Sequence, residues 1–324
     1  VIQVATANGS GSQSSNNILV RALFRSGVPV GGKNLFPSNI QGLPTWFTIR
    51  VNGKGFTSRR SFADVCVALN ASTHLQDLAS LAPKGFLFYS SEFKYSDAQK
   101  RSDVTMIPIP FRDIVAPLSD SVKLRKLLIN MVYVGILAEL LGIEDGVLHG
   151  AIEHQFQGKA SVFEVNQKAV EAGRAYAKAN LSGLDFPYRL EPIPKGNDAN
   201  VLIDGNSASA MGLMFGGCTF VSWYPITPSS SVVESFQEFA NEHRRDPLGK
   251  KTFAVLQAED ELAAISMVLG ASWMGARAMT ATSGPGISLM GEAAGLAYYA
   301  EIPAVIWDVQ RVGPSTGLPT RTMQ

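Results

Sequence analysis

The chain has 324 residues, of which 46% are apolar and 17% charged, and a formal net charge of +1 at pH 7. That length predicts two domains, and the balance of apolar to charged residues excludes disorder and offers no electrostatic footprint for nucleic acid or an anionic membrane. The longest apolar runs, 127–138 and 262–276, are too short to span a bilayer and read as buried helices.

No secretory signal opens the chain, and its two cysteines, Cys66 and Cys218, sit in apolar strand-like runs. They read as buried thiols of a cytoplasmic protein. Two cysteines are too few for a four-iron cluster, which normally takes four.

Residues 2–5 form a β-like run, Asn8-Gly9-Ser10-Gly11-Ser12 follows, and a helical apolar pattern starts at Ile18, Leu19, Ala22 and Leu23. Strand, glycine turn and helix open a doubly wound α/β domain. The turn lacks the third glycine of the dinucleotide fingerprint and no acid follows at the right distance. It reads as a plain βα turn or as a helix N-terminus open to a phosphate. Residues 31–42 then form a Gly/Asn/Pro loop carrying Lys33, Asn34 and Asn39. Such a loop is either a surface excursion or functional. Further strands are predicted at 45–51, 65–69, 85–89 and 105–109, and helices at 121–141, 146–156 and 163–178. Residues 187–194 contain three prolines and little periodicity, the mark of a linker.

From residue 201 the pattern alternates strand and helix: strands at 201–203, 218–221, 253–257, 277–282 and 304–310, with helices running to Phe215 and over 229–241, 262–274 and 287–300. Alternation implies a parallel sheet with right-handed crossovers, whose carboxyl ends face one crevice. Thr227, Glu259, the turn Ser283-Gly284-Pro285-Gly286 and the loop after Gln310 are expected to converge there. Pro225 and Pro228 forbid both helix and continued ladder and hold Thr227 at the strand end. Thr227 offers a hydroxyl to a carboxylate or carbonyl, while Ser229 is better placed to cap the next helix. Glu259 reads either as a general acid–base carboxylate or, with Asp260 and Glu261, as part of an acidic helix N-terminus. The 283–286 turn is an anion site or simply a tight turn.

Two alternative chemistries fail on the residues. Gly313-Pro314-Ser315-Thr316-Gly317 matches the hydrolase G-x-S-x-G pattern, but prolines flank it, no helical pattern follows, and His74, His149, His154 and His243 all precede it. His149 and His154 have the wrong spacing for a zinc pair on one helical face, and no metal site is predicted in this chain.

Residues 223–230, Trp-Tyr-Pro-Ile-Thr-Pro-Ser-Ser, closely resemble the signature of 2-oxoacid:ferredoxin oxidoreductases, in the subunit whose sheet covers thiamine diphosphate. The loop at 31–42 is similar to one in the gamma domain of that family, which precedes the alpha domain where the subunits are fused. The resemblance implies a Rossmann-like gamma domain over 1–186, a linker over 187–198 and a pyrimidine-type thiamine-fold domain over 199–324 that continues beyond. It implies that Glu259, in Gln-x-Glu, activates the aminopyrimidine, and that Tyr224, Pro225, Ile226, Ser283 and Gly284 contact the cofactor. Thr227 and Arg321, the latter after Gly-Pro-Ser-Thr-Gly-Leu-Pro-Thr, would hold the 2-oxoacid carboxylate. Lys33, Asn34 and Asn39 would serve coenzyme A or an interface. The chain has no Gly-Asp-Gly diphosphate motif and no cluster cysteines. A separate beta subunit is therefore implied, bringing Mg2+ and a 4Fe–4S cluster in a heterodimer or dimer of heterodimers, with this chain inactive alone. The implied reaction is oxidative decarboxylation of 2-oxoglutarate to succinyl-CoA with electrons to ferredoxin, and its reverse. Pyruvate or a branched-chain 2-oxoacid is the alternative substrate. From another class, a non-catalytic CoA- or nucleotide-binding scaffold is the alternative.

Overall fold

The computed structural model describes residues 1–35 and 42–311, in two compact units that divide between Leu202 and Ile203. In the first unit the elements are β1 Ile2–Ala7, α1 Ser12–Arg25, β2 Val30–Leu35, β3 Pro44–Val51, β4 Ala63–Ala68, α2 His74–Ala79, β5 Leu81–Ser90, β6 Thr105–Ile109, α3 Phe111–Val115, α4 Val122–Leu141, α5 Asp145–Gln155 and α6 Ala160–Asn180. Its strands pair in the order β2-β3-β1-β4-β5-β6. From β1 to β6 the pairing is parallel, whereas β3 runs antiparallel to both β1 and β2.

Strand periodicity divides the core. Val65, Val67, Phe86 and Phe88 point into the large cluster with α1 and α4, while Cys66, Ala68 and Leu87 face a smaller one with Leu78 and Leu81. Because both faces are covered, the central strands read as near-continuous apolar runs. Helix α4 carries apolar residues around its circumference and is buried from Leu128 to Ala138 apart from Ile129. It packs on α6 at two glycines: a Cβ on Gly135 would lie 2.1 Å from Val170 O, and one on Gly173 2.2 Å from Val132 O.

Two sequence expectations change here. Residues 31–35, expected in a loop, form strand β2, with Lys33 opposite Thr48 and Asn34 opposite Phe47. Adjacent glycines and polar residues hide an edge strand, whose partner supplies the order. Residues 201–203, expected as a strand, have no regular structure and no ladder partner. The segment 187–198 contains no helix or strand and is tied to the first unit: Ile193 N–H donates to Ser26 O (3.0 Å), and Asn197 Nδ2 donates to Phe24 O (2.8 Å) and Val28 O (3.1 Å).

The second unit runs α7 Gly205–Phe215, β7 Phe220–Trp223, α8 Ser230–His243, β8 Ala254–Gln257, α9 Glu261–Trp273, β9 Ala278–Thr282, α10 Gly284–Tyr299 and β10 Val305–Asp308. Its sheet is parallel throughout, in the order β10-β9-β7-β8. β9 is buried along its whole length, as an inner strand between helix layers should be. Asp204 and Asp260 cap α7 and α9, accepting from the N–H groups of Ser207 and Ala263. Among the described residues no helix is long and apolar enough to cross a membrane.

Candidate functional site

The strand order of the second unit makes a topological switch point. The chain leaves β7 for the neighbouring edge strand β8, then returns to β9 on the opposite side of β7. Ligands of open parallel sheets bind outside the carboxyl ends of strands at such a point. Glu259 lies there, two residues beyond the end of β8. Its position is set by Ala258, whose N–H extends the ladder to Trp223 O (2.8 Å) at the end of β7. Asp260 caps α9 (Oδ1 to Ala263 N, 2.6 Å), so Glu259 stands before the helix and Glu261 opens it. The two glutamates differ: Glu259 is exposed on this chain, whereas Glu261 is buried.

Tyr224, Pro225, Ile226 and Thr227 follow β7 and make the turn into α8. Ser229 is fully buried, and its hydroxyl turns back to donate to Ile226 O (2.8 Å). It makes no side-chain cap to α8, contrary to the sequence expectation, because the carbonyl inside the tight turn is the nearer partner. The turn is held from two further sides. Asn206 Nδ2 donates to Pro228 O (2.9 Å) and Ser231 Oγ (2.7 Å), and Arg311 Nη1 donates to Thr227 O (2.5 Å). Burial lowers the pKa of the Arg311 guanidinium. Thr227 is half-buried, and its hydroxyl makes no hydrogen bond among the described residues.

The turn after β9 packs too tightly for side chains. A Cβ on Gly286 would lie 1.9 Å from Thr282 Oγ1 and 3.0 Å from Glu261 Cγ, and one on Gly284 would lie 2.8 Å from Arg311 O. The hydroxyls of Thr280, Thr282 and Ser283 are buried without a hydrogen-bond partner among the described residues. Ser283 sits at the cap position of α10 but makes no cap bond. A Cβ-free turn over an orphaned hydroxyl suits a flat polar heterocycle, so the residues present fit an aminopyrimidine cofactor.

Sequence reasoning missed Arg311, Asn206 and the burial of Glu261. An arginine three residues past β10 was a visible signal for the first. Of the other sequence candidates, Lys33 and Asn34 lie on β2 in the first unit. Lys33 is exposed, and Asn34 donates to Gln13 Oε1 (2.5 Å) and accepts from Thr45 Oγ1 (3.2 Å). Asn39 and Arg321 lie outside the described residues. Cys66 and Cys218 are both buried and free; burial pushes the Cys218 thiol up to about 11 and the Cys66 thiol well above its ordinary value. Among the described residues no group of three or more His, Cys, Asp and Glu could hold a metal.

Family models match both halves of the chain. Residues 1–176 match the family described as pyruvate ferredoxin/flavodoxin oxidoreductase, and residues 211–324 match its thiamine-diphosphate-binding domain. This chain belongs to the 2-oxoacid:ferredoxin oxidoreductase family. The alpha subunit of 2-oxoacid:ferredoxin oxidoreductase 1 from Sulfurisphaera tokodaii is 34% identical over 99% of the chain and 56% of its own length. The 2-oxoglutarate oxidoreductase subunit KorA of Mycobacterium tuberculosis is 29% identical over 100% of the chain and 52% of its own length. Among solved structures, the chain is similar to a 2-oxoglutarate:ferredoxin oxidoreductase from Magnetococcus marinus with 2-oxoglutarate, coenzyme A and succinyl-CoA bound. That match has a TM-score of 0.79 and 32% identity, over 98% of the chain and 53% of the other. The chain thus spans about half the length of the curated relatives it matches. Its fold is that of the oxidoreductases: a Rossmann-like gamma-type unit followed by a pyrimidine-type thiamine-fold unit.

Proposed function

We propose that the chain supplies the thiamine-activating side of a 2-oxoacid:ferredoxin oxidoreductase that oxidatively decarboxylates 2-oxoglutarate to succinyl-CoA, and runs the reverse carboxylation. The observation that carries the proposal is Glu259 at the carboxyl end of β8, beside the turn after β7 in a sheet of the thiamine-binding type. When bound, thiamine diphosphate supplies the electron sink for a carbanion. Glu259 would share a proton with N1′ of its aminopyrimidine, while Ser283 and the backbone at Gly284, with Tyr224, Pro225 and Ile226, would orient the ring.

Thr227 and Arg321 would hold the substrate carboxylate. The Thr227 backbone is already anchored by Arg311, so its hydroxyl can be presented without further ordering. Because Glu259 is exposed on this chain, its cover must come from the cofactor and a partner. A beta subunit carrying Mg2+ and a 4Fe–4S cluster would provide that cover and pass electrons to ferredoxin. Lys33, Asn34 and Asn39 would face coenzyme A or an interface. Domain boundaries follow the same reading: a gamma domain over 1–186, a connector over 187–198 and an alpha domain from 199.

The choice of 2-oxoglutarate is supported by the names of the Mycobacterium tuberculosis and Magnetococcus marinus relatives, while pyruvate is favoured by the description of the family model. The test is Glu259→Gln in the complex reconstituted with its beta subunit. Turnover should fall by about 10²–10⁴-fold with assembly intact. Exchange of the thiamine C2 proton, followed by NMR, should slow in parallel; unchanged exchange would overturn the role of Glu259. Values of kcat/KM for 2-oxoglutarate and pyruvate measured on the same complex decide the substrate.

A further inference from the structure

The turn that carries Thr227 is fixed one carbonyl at a time. Ile226 O accepts from the N–H (2.9 Å) and the hydroxyl (2.8 Å) of Ser229, and Thr227 O accepts from Arg311. The next carbonyl, Pro228 O, accepts from Asn206 Nδ2 (2.9 Å). A proline has no N–H to donate, so its carbonyl is the one backbone group through which residue 228 can be held.

Asn206 is half-buried and is the second residue of α7. Nothing in α7 itself requires an amide there. The helix is capped by Asp204, which accepts from the N–H (2.9 Å) and the hydroxyl (2.8 Å) of Ser207. Its packing on α8 is apolar, through Ala210, Met214, Val232, Val233 and Phe236. The first turn of a helix is better served by a carboxylate, which the macrodipole favours. Asn206 instead directs its amide N–H groups out of its own helix, to Pro228 O before α8 and to Ser231 Oγ (2.7 Å) in the first turn of α8. The carboxamide thus clamps the turn to the start of the helix that follows it.

We propose that Asn206 is a positioning residue for the 2-oxoacid: it fixes the Thr227–Pro228 turn so that the Thr227 hydroxyl meets the substrate carboxylate in one orientation. The proposal rests on the reading of Thr227 given above. That hydroxyl makes no hydrogen bond among the described residues, so its placement comes from the backbone that carries it. Asn206 touches neither substrate nor cofactor in this role, and its effect passes wholly through Thr227. Without the clamp the turn samples more conformations, and the cost of ordering it falls on substrate binding.

Steady-state kinetics of the complex reconstituted with its beta subunit test it, on Asn206→Ala, Asn206→Asp, Thr227→Val and the double variant Asn206→Asp/Thr227→Val. Asn206→Asp keeps the shape and adds a charge that the N-terminus of α7 favours, but it sets a carboxylate against Pro228 O. Both Asn206 variants should raise KM for the 2-oxoacid about 3–10-fold, the loss expected for one neutral hydrogen bond, with a smaller change in kcat. The rise should be equal for 2-oxoglutarate and pyruvate, which share the carboxylate beside the ketone. Asn206→Asp should keep the parent's melting temperature and its Kd for thiamine diphosphate. The double variant should be no worse than Thr227→Val alone, because the two residues act as one unit. A parental KM in Thr227→Val would overturn the role of Thr227 on which the proposal rests. A raised KM in Thr227→Val, with a parental KM in both Asn206 variants or with effects that multiply in the double variant, would overturn the role of Asn206 alone. A lowered melting temperature with a parental KM would likewise reduce Asn206 to a structural residue and overturn it.

Discussion

At the scale of single residues, environment separates side chains of the same type. Glu259 and Glu261 are two positions apart, yet the first is exposed and the second buried beside Gly286. Glu259→Gln should therefore leave the melting temperature of the chain unchanged while removing turnover. Glu261→Gln should lower the melting temperature, because a charge favoured by the N-terminus of α9 is lost from a packed position. The reverse pattern in thermal melts and steady-state rates would exchange their roles. Asp77 is a second case. It is fully buried, accepts from Trp46 Nε1 (2.7 Å) and Thr73 Oγ1 (3.0 Å), and lies near His74, Cys66 and Tyr95. Burial outweighs those bonds and raises its carboxyl from 3.8 to about 6. The fold thus prefers the protonated form. Asp77 contributes its full stability below pH 3.8 and loses it as pH rises through about 6. A shift of that size corresponds to about 3 kcal/mol. Asp77→Asn, which mimics the neutral acid, should match the parent near pH 4, exceed it increasingly as pH rises through about 6, and hold a constant margin from there to pH 8 in chemical denaturation. A variant less stable than the parent at pH 8 would refute the assignment.

At the scale of elements, contact between helices is set by two residues with no side chain. Gly135 and Gly173 bring α4 and α6 together so closely that either Cβ would meet a backbone carbonyl at 2.1–2.2 Å. Gly135→Ala cannot be relieved by a rotamer change and should cost about 1–3 kcal/mol through helix displacement. Gly146 in α5 is the control, since a Cβ there meets nothing within 4 Å. Gly146→Ala should stabilise by up to about 1 kcal/mol by reducing backbone freedom in the unfolded chain. Urea denaturation of the two variants measures both; equal effects would mean that the helix contact is more yielding than its geometry implies. Strand β2 makes the complementary point. Its Gly-Gly-Lys-Asn stretch has weak intrinsic preference for a strand, and the ladder with β3 imposes one.

At the scale of the whole molecule, the second unit leaves large apolar side chains uncovered: Trp273 is 70% exposed, Met274 85%, Tyr298 89% and Tyr299 89%. Exposed apolar surface of that kind marks an interaction surface, which agrees with the proposal that this chain acts in a complex. The purified chain alone should show no 2-oxoacid-dependent reduction of ferredoxin. It should also contain no stoichiometric iron and no visible cluster band, since both its cysteines are buried with raised thiol pKa values. Metal analysis and an absorbance spectrum check this, and iron in the isolated chain would contradict it. Adding the proposed beta subunit should confer both activity and absorbance.

The sequence by itself determined the alternation of helix and strand in the second unit from α7 onward, though not the strand expected at 201–203, because periodicity and proline placement are local properties. It also determined that Glu259 follows a strand end, since an apolar run and an acidic helix start bracket it. It also placed Cys66 in a buried strand run, and the structure shows Cys66 buried on β4. Only the tertiary structure decided which glutamate is buried, that Arg311 ties Thr227, that Ser229 turns back on Ile226, and that residues 30–35 pair as an edge strand. Each of these depends on atoms brought together from distant positions: Arg311 and Thr227 are 84 residues apart, and the order β10-β9-β7-β8 sets which loops meet. Local pattern specifies the elements, but solvent access and long-range hydrogen bonding belong to the packed chain, and those are what give a side chain its chemistry.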